Sequence, residues 1–373
     1  MGSKPLRVMH VVLGLDVGGL EKQVLELVRR LDRSVVLPEI VCTDFVGQLA
    51  DLYPMEPPIA AVAARPGFDV RAGARLARRF RDSRSDIIHS HNERAHYLSV
   101  FAGRMMGIPV HINTRHGVHF PTTWRGALRR RITATLSDVI VAVSTEVRDA
   151  SLRVDRIPAT KLRIIHNGTD VTATRLTRGE ARRRLDLDET DFVLGAVGRL
   201  AAEKDYLTFV EAFAALCSEM PQIAGVVLGD GPLLPELSAA ARAAGLDRLR
   251  FLGYRPDAVA LLPAFDVFVQ PSLTEGIALS VIEAMAAGLP VVATSVGGNT
   301  EALGDGDAGI LVPPRDAGAL TRAILSLASD DERRATLAAA GRRRAAEHFS
   351  IDAIARSYET LYLEQARLKG LKV

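Results

Sequence analysis

Cysteine is nearly absent from this chain: Cys42 and Cys217 are the only two in 373 residues. They stand far apart within apolar strand or helix patterns, so buried free thiols are expected rather than a disulfide or a cysteine metal site. Such sparse usage suits a reducing cytoplasm. Uninterrupted apolar runs long enough to cross a bilayer are also lacking. The start, MGSKPLRVMHVV, leads straight into a strand pattern without a signal-peptide layout. Charge of one sign is not in excess: the net charge is only +3, which argues against nucleic-acid binding by bulk charge. Internal repeats of solenoid period and low-complexity tracts are missing too.

What is present is an ordinary globular composition, 48% hydrophobic and 24% charged, in a length that predicts two domains. Short apolar, β-branched runs alternate with amphipathic helical stretches, which predicts an α/β architecture of parallel sheets with crossover helices, written twice. The first set of strands is 7–12, 39–43, 86–90, 110–114, 138–143 and 162–166. The second is 192–198, 224–229, 249–253, 266–270, 291–295 and 309–313. Asn167-Gly168-Thr169 reads as the turn leaving the first domain, and a final helix is predicted over Ile351 to Leu368. Two Rossmann-like units imply a cleft between them, with ligands outside the carboxyl ends of the strands.

The chemical signals fall at those strand ends. In EGIALSVIE (275–283), Glu275 and Glu283 flank the start of an apolar helix that Gly288 closes. A helix N-terminus there offers N–H groups and a positive dipole end to a diphosphate. Carboxylates beside an anion are tolerable if they accept from hydroxyls, which a sugar nucleotide supplies. In GRLAAEKD (198–205), Arg199 and Lys204 are a fork-shaped donor and a point cation suited to neutralising a diphosphate leaving group; taken alone they read first as a solvated basic pair. Gly18-Gly19 opens a helix after the first strand and permits close backbone approach to an anion. This segment is not a G-x-G-x-x-G dinucleotide fingerprint. His116 stands just past a strand end, and His89 and His91 lie in HSHN; a lone histidine is more often structural than catalytic, and metal-ligand spacing with a third ligand is not apparent. The acidic strings Asp186/Asp188 and Asp305/Asp307 lie in polar turns and read as surface loops.

Taken in order, these segments resemble the family 4 retaining glycosyltransferases of the two-Rossmann-domain (GT-B) type. The resemblance runs through VGGLE (17–21), HSHN, TRHG, IIHNGTD (164–170), VGRLAAEKD (197–205), LGDGP (228–232), FLGYRPD (251–257), EGIALSVIEAMAAGLPVV (275–292) and the last helix, SYETLYLEQ. It implies an acceptor-side domain over 1–168, joined by 349–373 crossing back, and a donor-binding domain over 169–348. It further implies that Arg199 and Lys204 hold the donor phosphates, with Gly18 and Gly19 and the backbone of Leu279 and Ser280 adding contacts. Glu283 would take the ribose hydroxyls, Glu275 the transferred sugar, and Tyr254 and Arg255 would border the base. His116 would lie beside the reacting centre. Where the family's commonest form has Phe-Gly after Glu-Gly, this chain has Ile277-Ala278, whose methyl would narrow the sugar pocket. No cofactor or metal is expected: the nucleotide-sugar, a UDP- or GDP-sugar, is a substrate. Transfer with retention follows if the acceptor attacks from the face the leaving group vacates, with closure across the linker near 168–190 excluding water.

The acceptor wall is expected in FPTTWRGALRRRITATLS (120–137). There Trp124, Leu128, Ile132 and Leu136 share one helical face while Arg125, Arg129, Arg130 and Arg131 crowd the rest. A basic amphipathic helix with Trp suits an anionic membrane surface, although a packed helix with solvated arginines fits the same pattern. The expected acceptor is a lipid-linked saccharide at the cytoplasmic face, as in envelope or capsular polysaccharide synthesis, with His91 and Trp124 on the acceptor side. A small soluble acceptor, a sugar-nucleotide 2-epimerase and a catalytically silent binding protein are the alternatives.

Overall fold

The structure, a computed structural model, describes residues 4–65, 69–118, 123–173 and 175–372. The chain divides into two compact units, Met1–Gly168 with Ile351–Val373, and Thr169–Ser350. The first unit contains the strands β1 (Leu6–Val12), β2 (Val36–Cys42), β3 (Ala60–Ala61), β4 (Ile87–Ser90), β5 (Val110–Arg115), β6 (Val139–Ala142) and β7 (Leu162–Ile164). The second contains β8 (Phe192–Val197), β9 (Ile223–Leu228), β10 (Leu249–Phe251), β11 (Val267–Gln270), β12 (Val291–Thr294) and β13 (Ile310–Val312). The pairing within both sheets is parallel, in the orders β3-β2-β1-β4-β5-β6-β7 and β10-β9-β8-β11-β12-β13. Every predicted strand is present. The added β3 is a two-residue edge pairing, too short to carry a period in the sequence.

Alternation along β1 divides the first unit's core. Leu6 and Val8 pack on one face against the helices Gly19–Arg30 and Ile351–Leu368, while Met9 and Val11 pack on the other against Val70–Asp82 and Glu93–Met105. The last helix follows the predicted break, where Phe349 is buried and Ser350 bridges to Thr169. In the second unit Val193 faces the helix Leu279–Ala287, whereas Leu194 and Ala196 face Tyr206–Glu219 and Ala317–Ala328. Strands covered on both faces must be apolar throughout, which explains their near-continuous hydrophobic runs.

One side chain ties the entry of the second unit together. Arg182 is fully buried; its guanidinium donates to the carbonyls of Asp188, Glu189, Asp191 and Ala264 and to the Asp266 carboxylate at 2.7–3.2 Å. A leucine there would strand four carbonyls and weaken the hold on a carboxylate. Breaking such a buried charge network costs about 3–5 kcal/mol. Arg182→Leu should therefore lower the melting transition of the second unit markedly in scanning calorimetry. An unchanged transition would show that the loop satisfies its carbonyls otherwise.

Candidate functional site

In a doubly wound sheet the crevice forms where neighbouring strands send their connections to opposite faces. In the second unit that point lies between β8 and β11, and the loops leaving these two strands carry the predicted residues. After β8, residues 198–205 run to Asp205, which is left-handed (φ 47°) and turns the chain into the helix Tyr206–Glu219. Beneath this loop, Gly229 adopts φ 151° and lies so close that an added Cβ would stand 1.9 Å from the Gly198 carbonyl oxygen. This close approach accounts for a glycine in LGDGP. After β11, Glu275 lies in the loop and the helix Leu279–Ala287 follows, closed by left-handed Gly288 as predicted.

The fold brings Lys204 and Glu275 together. Lys204 Nζ donates to Glu275 Oε1 at 2.5 Å, and both side chains are largely buried. The same oxygen accepts from Ser272 Oγ at 2.6 Å and from Gln270 Nε2 at 3.0 Å. Gln270 also donates to Ser272 Oγ at 2.7 Å, and its side-chain carbonyl accepts from Ser280 Oγ at 3.0 Å. Three donors converge on one carboxylate oxygen, so the Glu275 rotamer is held before any ligand arrives. Lys204 is thus already compensated by a carboxylate, while Arg199 is exposed. Ser280 stands in the first turn of a helix whose N-cap, Ala278, offers no side-chain cap; the first N–H groups there have no capping oxygen from that residue.

Other predicted residues fall as follows. Glu283 is buried one turn into that helix; its carboxylate acts on nearby Arg175, opposing the lowering that burial imposes on that guanidinium. Tyr254 is exposed, and Arg255 is gripped by both carboxylate oxygens of Asp257 at 2.8 and 2.9 Å. The methyl of Ala278 is packed in the apolar cluster with Ile277 and Val281. Asp186, Asp188, Asp305 and Asp307 are all exposed: Asp186 and Asp307 in turns, Asp305 in the short 3-10 helix Gly304–Gly306 and Asp188 in irregular chain. Gly18 and Gly19 belong to the first unit: Gly18 is the extended N-cap of the helix Gly19–Arg30, and a Cβ on it would meet the Glu21 carboxylate at 2.2 Å.

In the first unit the strand order reverses between β1 and β4, and the histidines gather there. Register pairs His10 with His89 directly across the two strands. His10 Nδ1 lies 3.0 Å from His91 Nε2, and His91 Nδ1 lies 3.3 Å from His116 Nε2. His89 is held separately, by Tyr362 Oη at 2.6 Å and Thr114 Oγ1 at 2.7 Å, with Tyr358 Oη 3.0 Å from that hydroxyl. The aromatic last helix thus locks the HSHN strand end. A third histidine, which the spacing of HSHN did not reveal, is His10: among the described residues, ligand atoms of His10, His89 and His91 lie within 4.8 Å of one another. Since both ring nitrogens of His89 and His91 already have protein partners, the cluster reads as a hydrogen-bonded array. His91 and His116 also line a cavity of about 310 Å³, with Asn92, Asn113, Arg115 and Arg130 in its wall.

The expected basic face needs a correction. Within the helix Trp124–Leu136, Arg130 is buried and pairs with Asp155 through Nε (2.9 Å) and Nη2 (2.8 Å). Arg129 pairs with Glu93 and lies over the Tyr97 ring. A buried carboxylate captures the one arginine of the four that turns inward, because an unpaired charge there is too costly. The expected apolar stripe is exposed at Trp124, Leu128 and Ile132 (72%, 49% and 43%), and Arg125, beside Trp124, Arg129 and Arg131 are exposed with it. Phe120, Pro121 and Thr122 of the expected wall lie outside the described residues.

Sequence patterns alone do not single out Gln270, Ser272, Gly297 or His10. Gln270 ends an otherwise apolar strand pattern and His10 interrupts another, a polar residue at an inward position being the available signal. Gly297, at φ 54°, lies against Glu275: a Cβ would sit 1.9 Å from the Glu275 carbonyl oxygen.

The two parallel-sheet α/β units match solved glycosyltransferase structures of the GT-B class, WaaG among them, with a TM-score of 0.74 at 15% identity over 95% of this chain and 99% of that one. Residues 177–344 match the family model for glycosyl transferases group 1, and residues 17–173 match that for glycosyltransferase family 4. The chain is 30% identical over 397 aligned positions to D-inositol 3-phosphate glycosyltransferase of Salinispora tropica, covering 94% of this chain and 81% of that one. It is 28% identical to UDP-Gal:alpha-D-GlcNAc-diphosphoundecaprenol alpha-1,3-galactosyltransferase of Escherichia coli, over 70% of this chain and 71% of that one. In fold it is similar to Anabaena Alr3699/HepE in complex with UDP-glucose, with a TM-score of 0.83 at 22% identity, over 96% of this chain and 99% of that one. The protein belongs to glycosyltransferase family 4 and is a glycosyltransferase.

The buried histidines give the first unit an acid sensitivity. Burial pushes His10 and His96 down to about 3 and His111 to about 4, and holds His89 and His91 well below the ordinary value near 6.5. Below pH 6.5 the unfolded chain binds these protons and the folded chain does not, so stability falls as pH drops from about 6.5 towards 4. Each group contributes about 1.4 kcal/mol per pH unit in that window. Among the described residues the second unit's histidine is the exposed His348. Hydrogen–deuterium exchange from pH 7 to 4.5, corrected for intrinsic rates, should show β1, β4 and β5 losing protection before β8, β9 and β11. Equal loss would refute this origin.

Proposed function

We propose that the protein is a retaining glycosyltransferase that moves a sugar from a UDP- or GDP-sugar to a hydroxyl on a lipid-linked saccharide during envelope or capsular polysaccharide synthesis. The observation that carries this reading is the Lys204–Glu275 contact at the β8/β11 switch point, beside the uncapped start of the helix Leu279–Ala287. One carboxylate oxygen is taken by three protein donors, which leaves the other to accept from a sugar hydroxyl. Arg199, Lys204 and the helix N–H groups stabilise charge developing on the departing diphosphate. Glu283 reads the ribose hydroxyls. Neither carboxylate acts as a nucleophile; the leaving phosphate oxygen takes the acceptor proton as attack occurs on the same face, and no divalent metal is required. The relative acting on a diphosphoundecaprenol-linked sugar supports the acceptor class.

Arg199→Ala and Lys204→Ala should each lower turnover by roughly two to three orders of magnitude. The measurement is release of UDP or GDP from a panel of nucleotide-sugars, with and without membrane lipid extract. Wild-type rates in both variants would sink the phosphate assignment. Acceptor-independent formation of a new sugar nucleotide would point to an epimerase.

Work at the inner face of the plasma membrane follows from the Trp124, Leu128 and Ile132 ridge, flanked by Arg125, Arg129 and Arg131. No helix among the described residues is long and apolar enough to cross a membrane; the proposed attachment is peripheral, through this ridge. Each exposed arginine near anionic lipid adds about 1 kcal/mol. Fluorescence of Trp124, the only tryptophan, should shift to the blue with phosphatidylglycerol vesicles and revert as salt rises, since screening acts over roughly 10 Å at 0.1 M. Unchanged emission, with transfer to a soluble glycoside intact, would favour a small soluble acceptor.

A further inference from the structure

Arg115 ends β5 and stands directly before His116, and both line the first unit's cavity of about 310 Å³. Its side chain is 12% exposed. Nη1 is fixed by Ser151 Oγ at 3.0 Å and by the carboxylate of Asp155. Nε and Nη2 make no hydrogen bond to the described residues. These two nitrogens form one edge of the guanidinium, whose parallel N–H bonds match the paired oxygens of a phosphate or carboxylate. Arg130 shows that match in the same cluster: its Nε and Nη2 donate to the two oxygens of Asp155 at 2.9 and 2.8 Å. The corresponding edge of Arg115 suits a second anion.

Charge in the cluster points the same way. The Asp155 carboxylate, 2% exposed, is already held by both nitrogens of the Arg130 fork when Arg115 Nη1 joins it. Glu93 lies 3.0 Å from Arg129 and 3.6 Å from Arg130. The guanidiniums of Arg115, Arg129 and Arg130 thus share two carboxylates, an excess of one positive charge beside the cavity. Burial lowers Arg115 below the ordinary arginine value, although Asp155 opposes the shift. A buried cation compensated in part is costly. An anion at its remaining edge relieves that cost, whereas the hydroxyls of a neutral sugar bring no full negative charge. The cavity also limits size, since about 310 Å³ is at the small end of the roughly 300–1,000 Å³ common for ligand sites. It suits one small headgroup better than an extended saccharide.

We infer that Arg115 is a specificity residue for the acceptor, binding through its Nε–Nη2 edge the phosphate that carries the acceptor sugar. The sugar that lies beside His116 is then one attached directly to phosphate. This rests on the reading of a lipid-linked acceptor and narrows it: a long saccharide, receiving the new sugar at its far end, would leave its phosphate out of reach of the cavity. The reaction that supplies the acceptor is accordingly one that forms a sugar–phosphate linkage.

Calorimetry at pH 7.5 tests this, with UDP or GDP at saturation so that phosphate ligands are kept from the donor site. The 1-phosphates of glucose, galactose, mannose and N-acetylglucosamine are titrated alongside the matching methyl glycosides and glucuronic acid. At least one 1-phosphate should bind the wild type about ten- to a hundredfold more tightly than its methyl glycoside, as expected for charge-assisted hydrogen bonds. That preference should vanish in Arg115→Gln. It should shrink severalfold in Arg115→Lys, which keeps the charge and loses the fork. Nucleotide affinity should be unchanged in both variants. A wild type that prefers glucuronic acid, or shows no preference for phosphate, overturns the inference, as does a preference that survives in Arg115→Gln. If Arg115→Gln fails to fold, an undiminished preference in Arg115→Lys overturns it. Absence of nucleotide binding by the wild type would instead count against the donor reading of the second unit, and the phosphate preference is still measured. A polyprenyl diphosphate-linked hexose in detergent micelles separates the two sources of phosphate. Tighter binding than the 1-phosphate assigns the lipid link, and equal binding assigns a soluble sugar phosphate; in either case loss of Arg115 should weaken it.

Discussion

The point at which strand order reverses in each sheet is the constraint on which the functional geometry depends. In a parallel sheet with covered faces, connections must cross over one face or the other, and only where they part does the sheet edge open to a ligand. In the second unit the loops parting there end in Lys204 and Glu275, and their 2.5 Å contact unites two segments 71 residues apart. In the first unit the parting strands are β1 and β4, and the same geometry sets His10 beside His89 and His91. Both sites are consequences of topology acting on residues that look ordinary in their own segments.

Each site is also built inward. Glu275 is not a lone carboxylate at a loop but the end of a polar cluster whose root, Gln270, is fully buried at the end of β11. The amide of Gln270 has one feasible orientation, since reversal would set its carbonyl against the carboxylate. Ser280 and Glu275 are thus joined through a single side chain, which ties the start of the helix Leu279–Ala287 to the proposed sugar-reading group. The histidine array works similarly, with its innermost member the least accessible. Polar groups so placed are costly unless every partner is supplied. Both clusters interrupt cores otherwise made of Val, Ile and Leu.

Much of this architecture is legible in the amino-acid sequence. Short apolar, β-branched runs and Gly288 place the strands and the helix Leu279–Ala287, since those signals are local. The resemblance to family 4 glycosyltransferases rests on ordered segments, and family membership bears it out. Arg130 alone of the four arginines is misplaced by the sequence reading, because helical periodicity reports which residues share a stripe, but not which neighbour that stripe meets. Asp155, 25 residues beyond Arg130, turns one cation inward.

Local propensity and hydrophobic period are encoded in adjacent positions, so the chain's own order of residues dictates the two parallel sheets and the residue types at each strand end. The same order carries the segments by which the family is recognisable. Folding in three dimensions was needed to set Lys204 against Glu275, to place Gln270 beneath both, and to let His10 complete a chain ending at His116. Those arrangements depend on strand neighbours distant in sequence, and on burial, which converts an ordinary imidazole or amide into a group whose every hydrogen bond must be accounted for.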